Sequence, residues 1–140
     1  MKFIKTKIKN LYIINPELYI DKRGSFRRNF CKKEFQQENI NFNIKQTNIS
    51  QNKFKYTLRG FHFQKGKYSE DKIITCIKGE IYNIVLDMRK NSLTYLKWKY
   101  FVLNDKNRIN IFVPKGCANA YLTLKDDTQI FYYHSQFYNK

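Results

Sequence analysis

The segment from Thr57 to Gln64 carries the side chains that proton-transfer chemistry needs. His62, one of two histidines in the 140-residue chain, lies there, three residues after Arg59. A histidine exchanges protons near neutral pH, and an arginine binds the oxygens of carboxylates and phosphates. The pair indicates proton transfer on a small anionic molecule. The alternative is a half-buried histidine with an ordinary hydrogen-bond partner.

The same segment has the composition of a β-strand, and a strand fixes where these side chains point. Side chains alternate between the two faces of a strand. Alternation gives two sets, Thr57, Arg59, Phe61 and Phe63 on one face and Leu58, Gly60, His62 and Gln64 on the other. We therefore expect Arg59 and His62 to point to opposite faces, and Phe61 and Phe63 to lie in the core or an interface.

Other polar side chains converge with His62 if the strands form a barrel, because inward side chains of neighbouring strands meet in its interior. Lys72 opens the strand that follows, and Tyr132 lies in the last strand. Gln46 and Asn48 share one face of the preceding strand. An imidazole, an ammonium and a phenol facing one cavity supply a base, a cation and an acid. That combination suits proton abstraction next to a carbonyl.

Most of the chain has strand composition, rich in β-branched and aromatic residues. The predicted strands are 11–14, 44–49, 72–87, 95–103, 109–113, 118–124 and 128–135. Gly79 divides 72–87 into two strands, which predicts a hairpin with a positive φ at its turn. Residues 32–38 predict a short helix. Many short strands indicate an all-β sandwich or closed barrel in a single domain, 1–140.

Composition limits the classes of function. The net charge is +16, but the lysines are spread over the predicted strands, so we expect a basic surface and no nucleic-acid partner. Cys31, Cys76 and Cys117 lack metal-ligand spacing, which indicates reduced thiols in the cytoplasm. No signal peptide is visible and no apolar run approaches ~18 residues, so we expect no membrane partner.

Several motifs occur in an order and spacing typical of one family. They are 21–26 (DKRGSF), 46–50 (QTNIS), 58–64 (LRGFHFQ), 71–73 (DKI), 77–81 (IKGEI), 85–89 (VLDMR), 92–94 (SLT), Trp98, 113–118 (VPKGCA) and 121–124 (YLTL). From about residue 10 to Tyr138 the chain resembles the dTDP-4-dehydrorhamnose 3,5-epimerases, which are cupin-type β-barrels, or jelly rolls.

The resemblance implies a function and a set of site residues. The function is epimerisation of a nucleotide-linked 4-keto-6-deoxy sugar at C3, C5 or both, without a cofactor, in deoxysugar or surface polysaccharide biosynthesis. His62 corresponds to the general base, Lys72 to the lysine near the 4-keto oxygen, and Tyr132 to the general acid. The implied substrate-binding residues are Arg23, Gln46, Asn48, Arg59, Asn119 and Tyr138. The expected partners are a nucleotide-diphosphate sugar and a second copy of the chain, exchanged through strands near the N-terminus.

The chain departs from the family pattern at positions that bear on activity. The family usually continues for some tens of residues past position 140 and carries there a carboxylate that partners the catalytic histidine. We therefore expect the tautomer of His62 to depend on another group. Asn83 and Asn119 stand where the family usually has aspartate and histidine. Arg28 lies where the family often has an acidic residue near the nucleobase, which weakens the prediction of thymidine.

The resemblance also predicts that no metal is bound. Metal-binding cupins present His-x-His and a later histidine after Pro-x-Gly. Here the first pair reads His62-Phe63-Gln64, and Asn119 replaces the later histidine. One imidazole among amides is a poor transition-metal site.

Two other functions stay open, a non-catalytic cupin that binds nucleotide sugars and a sugar 3,4-ketoisomerase. The ketoisomerases are short cupins with the pattern Arg-Gly-x-His-Ala-His-Lys, from which 59–65 (RGFHFQK) differs. His134 has no evident partner in the sequence, so we assign it no role. Asp87 and Arg89 are expected to form a structural ion pair.

Overall fold

The computed structural model describes residues 1–139, which are mainly β-strands. The strands are β1 Lys2–Lys5, β2 Tyr12–Asn15, β3 Leu18–Asp21, β4 Gly24–Arg27, β5 Gln46–Asn52, β6 Leu58–His62, β7 Lys72–Lys78, β8 Glu80–Asp87, β9 Trp98–Asn104, β10 Asn110–Val113, β11 Cys117–Thr123 and β12 Thr128–His134. The helix α1 spans Lys32–Gln37, and a 3₁₀ turn spans Gly66–Tyr68. The prediction of an all-β fold with one or two short helices is confirmed.

The strands form two large antiparallel sheets. The six-stranded sheet has the order β1-β2-β10-β7-β12-β5, and the four-stranded sheet has the order β6-β11-β8-β9. β3 and β4 make a separate two-stranded hairpin. The architecture is a jelly-roll sandwich whose sheets do not close into a barrel. No helix in the described residues is long and apolar enough to cross a membrane. That 1–140 is one domain stays a prediction.

The predicted hairpin around Gly79 is wrong. β7 pairs with β10 and β12 in the six-stranded sheet, whereas β8 pairs with β9 and β11 in the four-stranded sheet. Gly79 has the expected positive φ, +80°, and a Cβ there would lie 2.4 Å from Thr128 Oγ1. The glycine therefore carries the chain from one sheet to the other, because only a residue without a side chain fits this tight crossing.

The main core lies between the two sheets. Ile74 and Ile130 from the six-stranded sheet pack with Val85 and Leu103 from the four-stranded sheet. A second cluster, around Phe35 of α1, covers the outer face of the six-stranded sheet. β7 is therefore buried on both faces, and this explains why its apolar residues do not alternate strictly with polar ones.

Asp87 ends β8 and organises the loop that leads to β9. Its buried carboxylate accepts hydrogen bonds from Arg89 Nε (2.8 Å), Ser92 Oγ (2.6 Å) and Thr94 Oγ1 (2.7 Å). Burial by itself raises the pKa of Asp87, but the hydrogen bonds from these three side chains outweigh it and hold the pKa below its usual range. The expected ion pair with Arg89 is therefore part of a larger network.

Replacing this carboxylate tests its contribution to stability. We expect Asp87→Asn to lower the free energy of unfolding at pH 7 by about 2–3 kcal/mol, the scale of hydrogen bonds to a charged group. Because the pKa of Asp87 is lower in the folded chain, the stabilisation is present above the unfolded pKa of ~4 and is lost as pH falls below it. Urea unfolding between pH 7 and pH 2 should show the difference from wild type shrinking below pH ~4.

Asp21→Asn is the matched control, because Asp21 also pairs with the arginine two positions on, Arg23, but on the surface. Exposed pairs contribute little to stability. Equal losses from Asp21→Asn and Asp87→Asn would contradict the role assigned to the buried network.

Candidate active site

A cavity of about 810 Å³ opens between the two sheets where β6 and β12 end and β7 begins. Small-molecule sites have volumes of this order. Seven of the nine predicted site residues line it: Asn48, Arg59, His62, Lys72, Asn119, Tyr132 and Tyr138. The structure brings these side chains together, while their individual roles stay predictions.

The structure corrects the predicted direction of Arg59 relative to His62. β6 pairs with β11, and in this register Arg59 lies opposite Tyr121 while His62 lies opposite Asn119. Three steps along β6 thus match two steps along β11. The extra residue is a bulge, and it interrupts the alternation of side chains. Arg59 and His62 consequently line the same cavity instead of pointing to opposite faces.

Gly60 makes this bulge possible. Its φ is +120°, and a Cβ at this position would lie 2.6 Å from both Cα and Cβ of Ala120 on the neighbouring strand. The two backbones therefore approach to a distance that no other residue type permits. Phe61 and Phe63 also line the cavity, whereas we expected them in the core or an interface.

His62 is exposed to the cavity. Across residues 1–139, no hydrogen bond joins its imidazole to another side chain. Arg59 is held more firmly, because its Nε donates to Oδ1 of the buried Asn52 at 2.9 Å. The wall formed by β6 therefore presents an accessible imidazole and an anchored guanidinium.

Tyr132 lies on β12, in the opposite sheet. Burial raises the pKa of its phenol far above the usual range, Tyr121 raises it further, and the charge of Arg59 offsets part of the rise. The phenol therefore keeps its proton at neutral pH. The neighbouring Tyr133 has its ring 6.1 Å from that of Phe30 in the outer cluster.

Glu70 and His134 are site residues that the sequence reading missed. Lys72 is only 6% exposed, and its Nζ lies 2.9 Å from Glu70 Oε1. Glu70 Oε2 accepts a hydrogen bond from His134 Nδ1 at 2.7 Å. Burial by itself raises the pKa of Glu70, but His134 and Lys72 outweigh it and hold the pKa below its usual range. His134, for which the sequence showed no partner, therefore has partners in the folded chain.

The sequence contained one indication that Glu70 and Lys72 lie together. Glu70 precedes Lys72 by two positions, and that spacing places both on one face of an extended segment. The link to His134 was not visible, because it arises from the long-range pairing of His134 with Lys72 across β12 and β7.

Gln46 is not among the residues that line the cavity, but it is hydrogen-bonded to two that are. Its Nε2 donates to Asn48 Oδ1 at 3.2 Å, and its Oε1 accepts the backbone N–H of Tyr138 at 3.1 Å. Asn48 Nδ2 lies 3.2 Å from His134 Nε2. The predicted binding residue Gln46 is thus joined to the site through Asn48.

Asn119 pairs with Asn83 on the floor of the cavity. Asn119 Nδ2 donates to Asn83 Oδ1 at 2.6 Å, and both residues are buried. Asn83 Nδ2 has no hydrogen-bond partner within the described part of the chain. Where the family pattern has an aspartate and a histidine, this chain therefore has a neutral amide pair.

Arg23 is the one predicted residue that the structure keeps away from this cavity. It lies in the turn of the β3–β4 hairpin, its side chain is 84% exposed, and its Nη2 is 2.7 Å from Asp21 Oδ2. The hairpin lines a separate shallow depression. On its own chain, Arg23 is therefore not placed to bind a ligand held by His62 and Tyr132.

The described residues contain no group of three or more His, Cys, Asp or Glu side chains arranged to hold a metal ion. The cavity instead combines an imidazole, a phenol, a lysine ammonium and an arginine. This donor set suits acid–base chemistry on an anionic ligand. A jelly-roll sandwich with such a cavity between its sheets belongs to the cupin class.

Comparisons with known proteins define the family within that class. A family model described as dTDP-4-dehydrorhamnose 3,5-epimerase matches residues 5–140. A relative of that name from Methanothermobacter thermautotrophicus is 38% identical over 138 residues, which cover 99% of this chain and 74% of the relative. The chain belongs to this family of epimerases.

Solved structures agree with this assignment. The dTDP-4-dehydrorhamnose 3,5-epimerase of Elizabethkingia anophelis superposes with a TM-score of 0.95 at 35% identity, covering 100% of this chain and 76% of that one. The Legionella pneumophila enzyme RmlC, solved in complex with dTDP-4-keto-L-rhamnose, gives a TM-score of 0.93 at 29% identity, covering 99% and 73%.

The bulge at Gly60 can be tested by adding a methyl group. Gly60→Ala is expected to destabilise the fold by about 1–3 kcal/mol more than Gly24→Ala, because only the first substitution creates a clash. Gly24 is a matched control, since its φ is +133° and a Cβ there meets nothing within 4 Å. Urea unfolding of both variants gives the comparison. Equal losses would contradict the close approach of β6 and β11.

Proposed function

We propose that the protein is an epimerase that inverts C3, C5 or both in a nucleotide-linked 4-keto-6-deoxy sugar. The observation that carries this proposal is the placement of His62 and Tyr132 on opposite sheets of one cavity, with Lys72 also lining it. Inversion at carbon requires a base on one face of the ring and an acid on the other. The relatives' names and the sugar nucleotide bound to the Legionella enzyme support the substrate class.

The chemistry transfers protons and involves no redox change. His62 removes the proton from the carbon next to the 4-keto group, and the electron pair of that bond forms an enolate. Lys72 donates a hydrogen bond to the enolate oxygen; an ammonium has three N–H donors, so it does this while bound to Glu70. Tyr132 then delivers a proton to the opposite face of the carbon. Solvent restores both side chains.

The binding part of the cavity fits the diphosphate and base of such a ligand. Arg59 presents a planar guanidinium whose position is fixed by Asn52, and a guanidinium binds two phosphate oxygens at once. Asn48 adds amide donors. Tyr138 lines the cavity with a largely exposed ring, suited to stacking on a nucleobase. The free thiols of the chain support action in the cytoplasm, where precursors of surface polysaccharides such as lipopolysaccharide are made.

Deuterium uptake tests the proposal. The protein is incubated in D₂O with dTDP- and GDP-linked 4-keto-6-deoxy sugars, and C3 and C5 are followed by NMR. Wild type should incorporate deuterium and form an epimer, and His62→Asn should slow uptake by about 10²- to 10⁴-fold. Tyr132→Phe should retain exchange through His62 but lose inversion, because the proton on the opposite face is missing.

Tyr133→Phe is the matched control, since its hydroxyl lies on the other face of β12, and it should behave as wild type. Exchange that survives His62→Asn would contradict the assignment of the base. Tight binding of the sugar nucleotide by wild type without any exchange would replace the epimerase with the non-catalytic binding protein. Interconversion of the 3- and 4-keto sugars would identify a ketoisomerase.

We also propose that the protein forms a homodimer in which the β3–β4 hairpin reaches the cavity of the partner. The hairpin exposes Tyr19 (57%), Ile20 (72%) and Phe26 (69%), an apolar surface that a second copy would cover. The arginine predicted to hold a phosphate, Arg23, sits in the turn of this hairpin and away from its own cavity. If two copies exchanged their hairpins, the apolar surface would be covered and Arg23 would reach the cavity of the partner.

A charge on the hairpin should prevent this assembly. Phe26→Glu is expected to convert a dimer into a monomer, measured by light scattering during size-exclusion chromatography, because the carboxylate loses its hydration in an apolar interface. Arg23→Ala should keep the dimer but weaken binding of a nucleoside diphosphate. A monomeric wild type, or a Phe26→Glu variant that stays dimeric, would contradict the proposal.

A further inference from the structure

One continuous chain of hydrogen bonds joins the binding amides to the lysine of the site. Every link measures between 2.7 and 3.2 Å. The links run in order through the Tyr138 backbone N–H, Gln46, Asn48, His134, Glu70 and Lys72. Three neighbouring strands supply most of this chain, because Gln46 of β5 and Lys72 of β7 both lie opposite His134 of β12. The chain of hydrogen bonds therefore crosses from strand to strand within the six-stranded sheet.

The connections within this chain of hydrogen bonds determine which atom donates and which atom accepts at each link. Asn48 Oδ1 already accepts from Gln46, so the Asn48 atom facing His134 is the amide nitrogen, which only donates. His134 Nε2 must then accept, and the imidazole proton must sit on Nδ1. That proton is donated to Glu70 Oε2 at 2.7 Å, and the other oxygen of Glu70 accepts from Lys72. All the directions agree only if His134 is the neutral Nδ1–H tautomer.

This arrangement determines what the cavity wall offers to a ligand. The side-chain carbonyl oxygens of Gln46 and Asn48 are both used inside the chain, whereas each amide nitrogen has a second N–H. Asn48, which lines the cavity, therefore has a second amide N–H to offer to a ligand. Lys72 likewise has N–H groups beyond the one that binds Glu70. These N–H groups suit ligand oxygens that accept hydrogen bonds, such as those of a phosphate or an enolate.

We propose that Glu70 and His134 are positioning residues of this site, with Glu70 holding Lys72 and fixing the Nδ1–H tautomer of His134, which in turn orients Asn48 as a donor. The catalytic part of this inference rests on the proposed epimerase function. The structural part does not, because a tautomer is measured without substrate. His134 acts here through Asn48 and Glu70 and needs no contact with the reacting carbon.

Glu70→Gln is the decisive substitution, because it keeps the shape of the side chain and reverses one hydrogen bond. Lys72 only donates, so the carbonyl oxygen of the new amide must face it, and the amide N–H must face His134 Nδ1. The imidazole proton then moves to Nε2, where it opposes the N–H of Asn48. Long-range ¹H–¹⁵N NMR of the imidazoles should show His134 changing from the Nδ1–H to the Nε2–H tautomer. The chain has only two histidines, so a His62→Gln background assigns the signal.

Kinetics give the second measurement. Glu70→Gln should lower kcat for epimer formation by roughly 10- to 100-fold, the scale of a lost hydrogen bond to a charged group. His134→Gln should keep most of kcat, because its amide donates to Glu70 and accepts from Asn48 as the neutral imidazole does. His134→Ala should raise KM by releasing Asn48. Glu80→Gln is the control. Glu80 of β8 accepts a hydrogen bond from Asn104 of β9, and it does not line the cavity.

The outcomes separate this inference from the proposed function. An Nε2–H tautomer in wild type, or a tautomer unchanged in Glu70→Gln, overturns the hydrogen-bond chain. A reversed tautomer with an unchanged kcat overturns the positioning role and leaves the epimerase intact. A wild type that has the predicted tautomer but exchanges no substrate overturns the proposed function, and with it the catalytic part of the inference. A KM raised as much in His134→Gln as in His134→Ala overturns the assignment of His134 as a positioning residue.

Discussion

The buried carboxylate of Glu70 is the group on which the rest of the site depends. A buried charge is tolerated only when it is paired and fully hydrogen-bonded, and Glu70 meets both conditions through Lys72 and His134. The same contacts hold an otherwise mobile lysine in one place. One carboxylate thus holds the proposed catalytic cation and, through an imidazole, is linked to the two amides proposed to bind the ligand.

The jelly roll supplies the rigid frame for this arrangement. Its two sheets are tied by a common core, and the cavity opens where the core gives way to polar side chains. Lys72, Tyr132 and the amide of Asn48 come from the six-stranded sheet, and the imidazole and guanidinium come from β6 of the other sheet. A bulge at Gly60 lets one short strand present both Arg59 and His62. The proposed base, His62, and the proposed acid, Tyr132, therefore lie on separate walls, as inversion at carbon requires.

Much of the fold was predictable from sequence, and the reasons are local. Strands such as Asn110–Val113 and Thr128–His134 are rich in β-branched and aromatic residues, and their bounds fall within a residue or so of the predictions. The short helix at Lys32–Gln37 was predicted as well. The hairpin at Gly79 was wrong, because a positive φ serves a crossing between sheets as well as a tight turn. Alternation failed at Gly60, because a bulge depends on the neighbouring strand.

The candidate site was predictable only in part, for a related reason. His62 and Lys72 lie in motifs that keep their order along the chain, and Tyr132 was identified through the overall resemblance to the family. Glu70 and His134 belong to no such motif, and they meet only because β7 and β12 are neighbours in the sheet. Arg23 lies in a motif that resembles the family pattern, but its hairpin is separate from the cavity of its own chain. Motifs thus identified candidate residues, and only the sheet pairing shows which of them act together.

The decisive measurement is a crystal structure of the protein soaked with a nucleoside diphosphate-linked sugar. We expect the diphosphate to lie against Arg59 and Asn48, and the sugar to lie between His62 and Tyr132 with its keto oxygen towards Lys72. We also expect Glu70 to remain bound to Lys72 and His134. A sugar bound outside the cavity, or one whose ring leaves His62 and Tyr132 on the same side, would contradict these expectations.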